Sequence, residues 1–453
     1  AGCTMTAAAI APARRAAFDI LRKVGRGRGN SDTLLHSLQV NQLSPQDRNL
    51  CTTLVLGTLR WQLVLDAECR KFLARPDLTL PEDALLALRM GAYQLLFLDR
   101  IPTHAALFES VEWCKHSEGS RQSGLVNAVL RKVAALPKTR AFDAEQAYPR
   151  WMVARWRKFY GAEACRKICE QGQAEPETAL RLLGDDAEEM LQSHGVVLQP
   201  GKFLARARRI ADGGAKTFSE SPEAPVYAQL QDEGSQLVAE MLGRGSRILD
   251  TCAAPGGKTA VLLQNNPGVE LLACDLHPTR LATMQRRLSA AMNLDHVKLR
   301  VADAAKLMGV GTFDRVLCDV PCTGTGTLAR NPEIRHRLQP EELVRQAERQ
   351  REILSAGLRL LEPGGRLLYS TCSLEPEENA AVVEACLSSS ENAKNAWKKV
   401  DLLGEFDRLQ REGIVKGDSV EALRTSGFRD GYLRTLPGVH PCDGFFAALI
   451  ERR

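Results

Sequence analysis

No stretch of this chain approaches about 18 uncharged apolar residues, the length a membrane-crossing helix needs, so nothing in it reads as a membrane span. No secretory leader is expected either: the apolar run Met5–Pro12 is short and stops at Arg14-Arg15. The Ala-Gly-Cys-Thr before Met5 reads as a cloning scar and is left out of fold reasoning. Internal repeats and long low-complexity segments are absent. Cysteine is plentiful, at 13, but paired spacing is not. An odd, unpaired set fits free thiols in a reducing cytoplasm. Neither Cys165/Cys169 nor Cys318/Cys322 has the company that zinc requires, so no metal is expected. What remains is an ordinary globular composition, 44% hydrophobic and 25% charged. At 453 residues it is long enough for two or three domains.

Positive charge is unevenly spread. Residues 1–140 carry 19 Lys/Arg against 12 Asp/Glu, a net +7, while the rest carry 41 against 43. A basic first third suits a polyanion, and a solvated helical surface explains the same excess. That third is patterned for helices over Met5–Val24, Ser44–Ala74, Glu82–Asp99, Thr103–His116 and Arg121–Ala135, with apolar residues three and four apart. Arg26–Asn30 is a basic glycine-rich loop that either touches RNA phosphates or merely links helices. Pro137–Tyr148 reads as a linker. Beyond it a smaller mixed region has a helix over Trp151–Cys169 and short strands near Ala179–Leu183 and Val196–Leu198. Arg206–Arg209 is a second candidate basic contact, with a solvated run as the default. These breaks divide the chain into 1–140, 141–228 and 229–453.

The last division is organised around Ser246–Lys258, SRILDTCAAPGGK. After a helix over Gln231–Leu242, a short apolar run ends at Asp250, a glycine turn follows, and Lys258-Thr259 opens a helical pattern. Glycines in such a turn let backbone N–H groups approach a ligand at a helix N-terminus. The spacing matches neither the P-loop nor the dinucleotide fingerprint, which argues against phosphate cradling. A second run, Val269–Cys274, ends in Asp275, 18 residues past Gly257, where ribose hydroxyls are often received. Runs at Val297–Val301 and Phe313–Cys318 lead to Asp303 and Asp319. Any one of these aspartates is explained by helix capping. Four on the carboxyl edge of a parallel α/β sheet point to a nucleoside ligand without phosphate.

Asp319-Val320-Pro321-Cys322 sets an aspartate and a cysteine on a proline-stiffened loop. A fifth strand, Arg366–Tyr369, ends in Ser370-Thr371-Cys372-Ser373. Neighbouring parallel strands align their carboxyl ends, so Cys322 and Cys372 are expected at one pocket. A single strand-end cysteine is usually a small buried hydrophobe. Two, one beside an Asp-Pro, point to nucleophilic chemistry. Ser388–Lys399 reads as a polar surface loop.

CAAPGGKT at Cys252–Thr259, the Asp275 and Asp303 strand ends, the DVPC loop, STCS at Ser370–Ser373 and Asp443-Gly444-Phe445-Phe446 together resemble the RNA cytosine carbon-5 methyltransferases that use S-adenosylmethionine. The likeness covers roughly Gln231–Arg453. The first third is similar to NusB-type RNA-binding domains, notably at Ile101–Ala106 and Gly124–Arg131. Jointly they resemble the bacterial 16S rRNA cytosine-5 methyltransferases. The fold implied is a Rossmann-like core, mostly parallel with helices on both faces, preceded by an all-helical NusB-like domain and a small mixed α+β domain. The resemblance implies Cys372 as the nucleophile on carbon 6 and Cys322 in product release. It implies Asp319 at the pyrimidine edge and Lys258 in electrostatic assistance. The cofactor would lie across Cys252, Ala253, Ala254, Pro255, Gly256, Gly257 and Lys258, with Asp275 at its ribose, Asp303 at its adenine, and Asp319 and Arg280 nearby. The implied partner is 16S rRNA or an assembling small subunit, met by a cytoplasmic monomer. Cytosine-5 DNA methyltransferases take their nucleophile from a Pro-Cys loop, so DVPC alone would name Cys322 instead. The alternatives are a cytosine-5 methyltransferase for tRNA or another rRNA site, and a non-catalytic assembly factor. The family's Leu-Arg-x-Asn is Leu180-Arg181-Leu182-Leu183 here, without the asparagine.

Overall fold

The structure, a computed structural model, describes residues 10–75, 77–137, 141–211, 217–218, 221, 223–389 and 396–453. The chain divides into two compact units, residues 1–175 with Leu328–Arg337, and the remainder.

The first unit is helical. Its longer helices are Pro12–Gly25, Pro45–Arg70, Glu82–Phe97, Thr103–Lys115 and Ser123–Ala134, followed by Arg150–Tyr160 and Ala162–Gln171. Prolines open the first two, where a missing N–H is harmless, and Ser44 caps the second by accepting from Asp47 N at 3.1 Å. Two short helices, Ser31–Leu35 and Leu38–Asn41, lack the length for a periodic signal. The single helix expected over Trp151–Cys169 is two, because Gly161 sits at φ +84°, outside the helical region. Of the expected Met5–Val24 helix, residues 5–9 lie outside the described residues. One core unites the helices up to Ala134, with Phe18 stacked on Trp113 at 4.4 Å and Leu54, Leu65, Met90 and Leu130 buried around them.

Leu328–Arg337 completes this unit from far along the chain. Glu333 is buried and accepts from Ser31 N at 2.9 Å and Ser31 Oγ at 2.7 Å. Arg335, 1% exposed, donates to the carbonyls of Arg60, Gly172 and Leu328 and lies 4.0 Å over the Tyr148 ring. Arg337 donates to the carbonyls of Val24 and Gly29 and to Asn30 Oδ1. The Arg26–Asn30 loop is therefore largely engaged: Arg26 pairs with Glu82 and Glu118, and Arg28, like Arg26, is exposed.

The second unit holds two sheets. The smaller is antiparallel, with β1 (Ala179–Leu182), β2 (Leu198–Pro200), β3 (Ala207–Ile210) and β4 (Ala228–Leu230) in the order β2-β3-β1-β4. The arginine-rich stretch follows the default reading of a surface run, its charges paired locally. Arg206, Arg208 and Arg209 flank or form β3 and pair with Asp185, Glu188 and Glu177, so they are matched at home. Arg181 of β1 is buried against Glu240 at 2.7 Å.

The larger sheet contains β5 (Arg247–Asp250), β6 (Glu270–Asp275), β7 (Val297–Val301), β8 (Phe313–Asp319), β9 (Leu361–Thr371), β10 (Trp397–Val400), β11 (Phe428–Arg429), β12 (Tyr432–Arg434) and β13 (Phe446–Arg452). Its path is β11-β12-β13-β9-β8-β5-β6-β7, with β10 on β13. Strands β5 to β9 are parallel and β13 runs antiparallel to β9. Trp397–Lys399, expected in a loop, belongs to β10: these residues pair with Arg452, Glu451 and Ile450 across a strand too polar to stand out in sequence. Alternate residues feed two cores. Ile248, Leu317 and Leu368 face helix Pro278–Ser289 and its neighbours, while Leu249, Val316, Leu367 and Tyr369 face helix Pro340–Arg359. Helices thus cover both faces, and the strand order reverses between β5 and β8. Ligands of open α/β sheets bind at the carboxyl end of that reversal.

Candidate active site

The reversal point carries a charged cluster. Asp250 ends β5 and is 1% exposed; its Oδ2 accepts from Thr259 Oγ1 at 2.7 Å, while Oδ1 has no protein partner. Burial pushes its carboxyl from 3.8 up to about 7, with Thr259 pulling the other way. Asp319 ends β8. Its Oδ2 accepts from Lys258 Nζ at 2.7 Å and its Oδ1 from Ser370 Oγ at 2.7 Å. Burial lowers the Lys258 ammonium, but Asp319 more than offsets it and holds the proton above the ordinary lysine value. The same ammonium lies 5.4 Å from the Phe445 ring centroid, which gives the Asp443–Phe446 motif a place beside the cluster.

Next to it, the loops after β8 and β9 bring Cys322 Sγ and Cys372 Sγ to 3.4 Å. The Cys322 thiol is pushed well above its ordinary range, first by its hydrogen bond to Cys372, then by burial and by the Glu378 carboxylate. Backbone bonds lace the loops together: Gly326 N donates to Cys372 O at 2.9 Å, and Gly444 N to Gly326 O at 2.9 Å. A Cβ on Gly326 would stand 2.2 Å from Gly444 O, so only glycine permits this approach.

The turn after β5 is fixed by its own hydrogen bonds. Gly256 has φ +101° and starts helix Gly257–Asn265. Ala254 N donates to Asp275 Oδ2 at 3.2 Å, and His277 N to Asp275 Oδ1 at 2.9 Å, so the β6 carboxylate is fixed against the turn. Arg280 donates to Ala254 O at 2.7 Å, bracing the turn from outside. Cys252 and Ala253 precede Ala254 and Pro255; burial drives the Cys252 thiol far up, which makes it an inert lining group.

Two family models match the chain: NusB family over residues 11–135 and 16S rRNA methyltransferase RsmB/F over residues 241–451. Ribosomal RNA small subunit methyltransferase B of Xanthomonas campestris pv. campestris is 32% identical over 460 residues, 98% of each chain. Its counterpart in Pseudomonas syringae pv. tomato is 32% identical across 92% of this chain and 95% of that one. The chain belongs to the ribosomal RNA small subunit methyltransferase B family. The crystal structure of PH0851 shares the fold at 23% identity and TM-score 0.77, covering 98% of this chain and 99% of its own. NSun6 from Pyrococcus horikoshii with SFG shares it at 20% identity and TM-score 0.52, over 67% of this chain and 98% of its own.

In this methyltransferase the residues singled out from sequence are gathered unevenly. Lys258, Asp319, Cys322 and Cys372 form one cluster, and Cys252–Gly257, Asp275 and Arg280 form the adjoining turn. Asp303 lies two residues beyond β7, where it caps a short turn by accepting from Ala305 N at 3.1 Å. Sequence reasoning counted Asp250 among the four strand-end aspartates but gave it no role of its own, and it missed Ser370 and Glu378. Glu378 follows the Thr-Cys-Ser motif by five residues, and an acidic residue that close to an apolar strand end was the available signal.

Proposed function

We propose that this methyltransferase places a methyl group on carbon 5 of a cytosine in 16S rRNA through a transient bond between Cys372 and carbon 6. The observation that carries the reading is the pair of thiols 3.4 Å apart beside the Lys258–Asp319 pair. S-adenosylmethionine, when bound, supplies the electrophilic methyl group. The residues fit it: the left-handed Gly256 opens the turn, and Asp250 Oδ1 is a buried acceptor without a protein partner. Asp275 would receive its ribose and Asp303 its adenine.

Carbon 5 of cytosine is a weak nucleophile. Attack by the Cys372 thiolate on carbon 6 gives the ring enamine character and places an electron pair on carbon 5. Asp319 holds the pyrimidine edge, and Lys258 keeps that carboxylate oriented. After transfer the carbon 5 proton leaves with help from Cys322, the double bond re-forms, and Cys372 departs. Once Cys372 is bonded to carbon 6, its hydrogen bond no longer raises Cys322. That thiol then ionises more readily at the step that needs a base. The target base must be unstacked to reach both sulfurs. Residues 1–140 serve RNA, 141–228 link and 229–453 do chemistry in this reading, in a cytoplasmic enzyme.

The test uses Cys322→Ala and Cys372→Ala with rRNA and cofactor. Cys322→Ala should accumulate a protein–RNA adduct that survives denaturing electrophoresis, and Cys372→Ala should form neither adduct nor methylated RNA. The reverse pattern makes Cys322 the nucleophile, and full activity in both variants removes the covalent route.

A further inference from the structure

Just behind the two thiols lies a carboxylate with no assigned work. Glu378 is fully buried and ends the short turn Pro376–Glu378. Its Oε1 accepts from Thr323 N at 2.9 Å and from Gln350 Nε2 at 2.9 Å; its Oε2 accepts from the hydroxyls of Thr323 and Ser373. Thr323 follows Cys322 and Ser373 follows Cys372, so one carboxylate ties down the neighbour of each thiol. The surroundings reinforce the tie. Gln350 Nε2 also donates to Pro321 O at 2.9 Å, and Asn379 Nδ2 donates to Ser373 O at 2.8 Å. Tyr369 Oη donates to the Glu378 carbonyl at 2.6 Å.

The donors meeting this carboxylate are neutral, and a buried charge so treated is expensive. An amide could accept at one oxygen only, whereas a carboxylate accepts at both from converging donors. We propose that Glu378 is a positioning residue, a clamp that holds the Cys322 and Cys372 loops at the spacing two adjacent ring carbons require. The proposal rests on the reading that both cysteines act in the reaction.

Phenylarsine oxide tests the spacing without any methyl transfer, because it condenses with two adjacent thiols and releases one water. Cys322→Ala supplies the blank. Wild-type protein should bridge Cys322 to Cys372, detected by peptide mass mapping. Glu378→Ala should bridge at least about tenfold more slowly, a change of about 1.4 kcal/mol. Its kcat should fall by a similar or larger factor while KM for RNA and cofactor affinity stay near wild type. Glu378→Gln keeps the shape and one acceptor and should lie between. It decides the matter if the alanine variant lacks a cooperative melt. Wild-type bridging in Glu378→Gln and in any folded Glu378→Ala overturns the clamp, whatever happens to kcat. Slower bridging with unchanged kcat upholds the clamp and sinks the two-cysteine mechanism instead.

Discussion

Replacing Gly256 by alanine strikes the proposed cofactor turn through two separable effects. The residue sits at φ +101°, where a Cβ costs about 1–2 kcal/mol. That Cβ would also stand 2.6 Å from Met284 Cγ, inside a fully buried contact, and overpacking of this kind costs about 1–3 kcal/mol. If the turn shifts to relieve the strain and must shift back to bind, a penalty of about 2 kcal/mol weakens S-adenosylmethionine about 30-fold. Calorimetric titration and thermal melting measure the two halves. Met284→Ala separates them, since it clears the clash and leaves the backbone strain. In a double-mutant cycle the Gly256→Ala/Met284→Ala protein should therefore lose about 1 kcal/mol or more less than the sum of the single variants. Unchanged affinity together with an unchanged melting temperature in Gly256→Ala refutes the reasoning. Strict additivity in the cycle refutes the contact with Met284.

Asp250 binds its proton more tightly in the folded chain, with a carboxyl at about 7 against 3.8, so wild-type stability should fall as pH rises through that window. Asp250→Asn should melt progressively higher relative to wild type from pH 4 to pH 7, and a constant gap contradicts this. Arg335→Ala removes the donors to the carbonyls of Arg60, Gly172 and Leu328 and empties a fully buried site, so about 3 kcal/mol of stability should go. Tryptophan fluorescence reads it, since Trp61, Trp113, Trp151 and Trp156 all lie in the helical unit; a melt within a degree of wild type speaks against it. Arg28→Gln should flatten the salt dependence of RNA binding by about 0.7–0.9 in logarithmic slope if Arg28 meets a phosphate. An identical slope excludes that contact.

The helical third and the parallel strands were legible because each carries its own period, and the site was legible where it sits at strand ends. Cys322 and Cys372 are 50 residues apart, but sheet logic alone aligns them. Proximity to the Thr-Cys-Ser motif marked Glu375, Glu377 and Glu378 alike; what singles out Glu378 is tertiary, since its partner Thr323 lies 55 residues earlier. Strand β10 was hidden by its lysines, which a sheet edge tolerates. The arginine-rich run was left between a basic contact and a solvated run because charge is visible in sequence, but the acidic partners Asp185, Glu188 and Glu177 are not adjacent to it.

The segment Leu328–Arg337 bears on how the protein is made. Translation delivers the NusB-like helices first, yet Glu333, Arg335 and Arg337 are synthesised almost two hundred residues after the last of them, Ala134. Until then Ser31 N and the Gly172 carbonyl lack the Glu333 and Arg335 groups that bond them. Domains usually fold as units in the order they emerge. This one lacks the contacts of Glu333, Arg335 and Arg337 until residue 337 has left the ribosome, although its main core needs only residues up to Phe142. For the same reason a fragment spanning residues 1–175 is not the native module: it would have to be supplied with the ten-residue piece, in trans or by circular permutation, to recover its full set of hydrogen bonds.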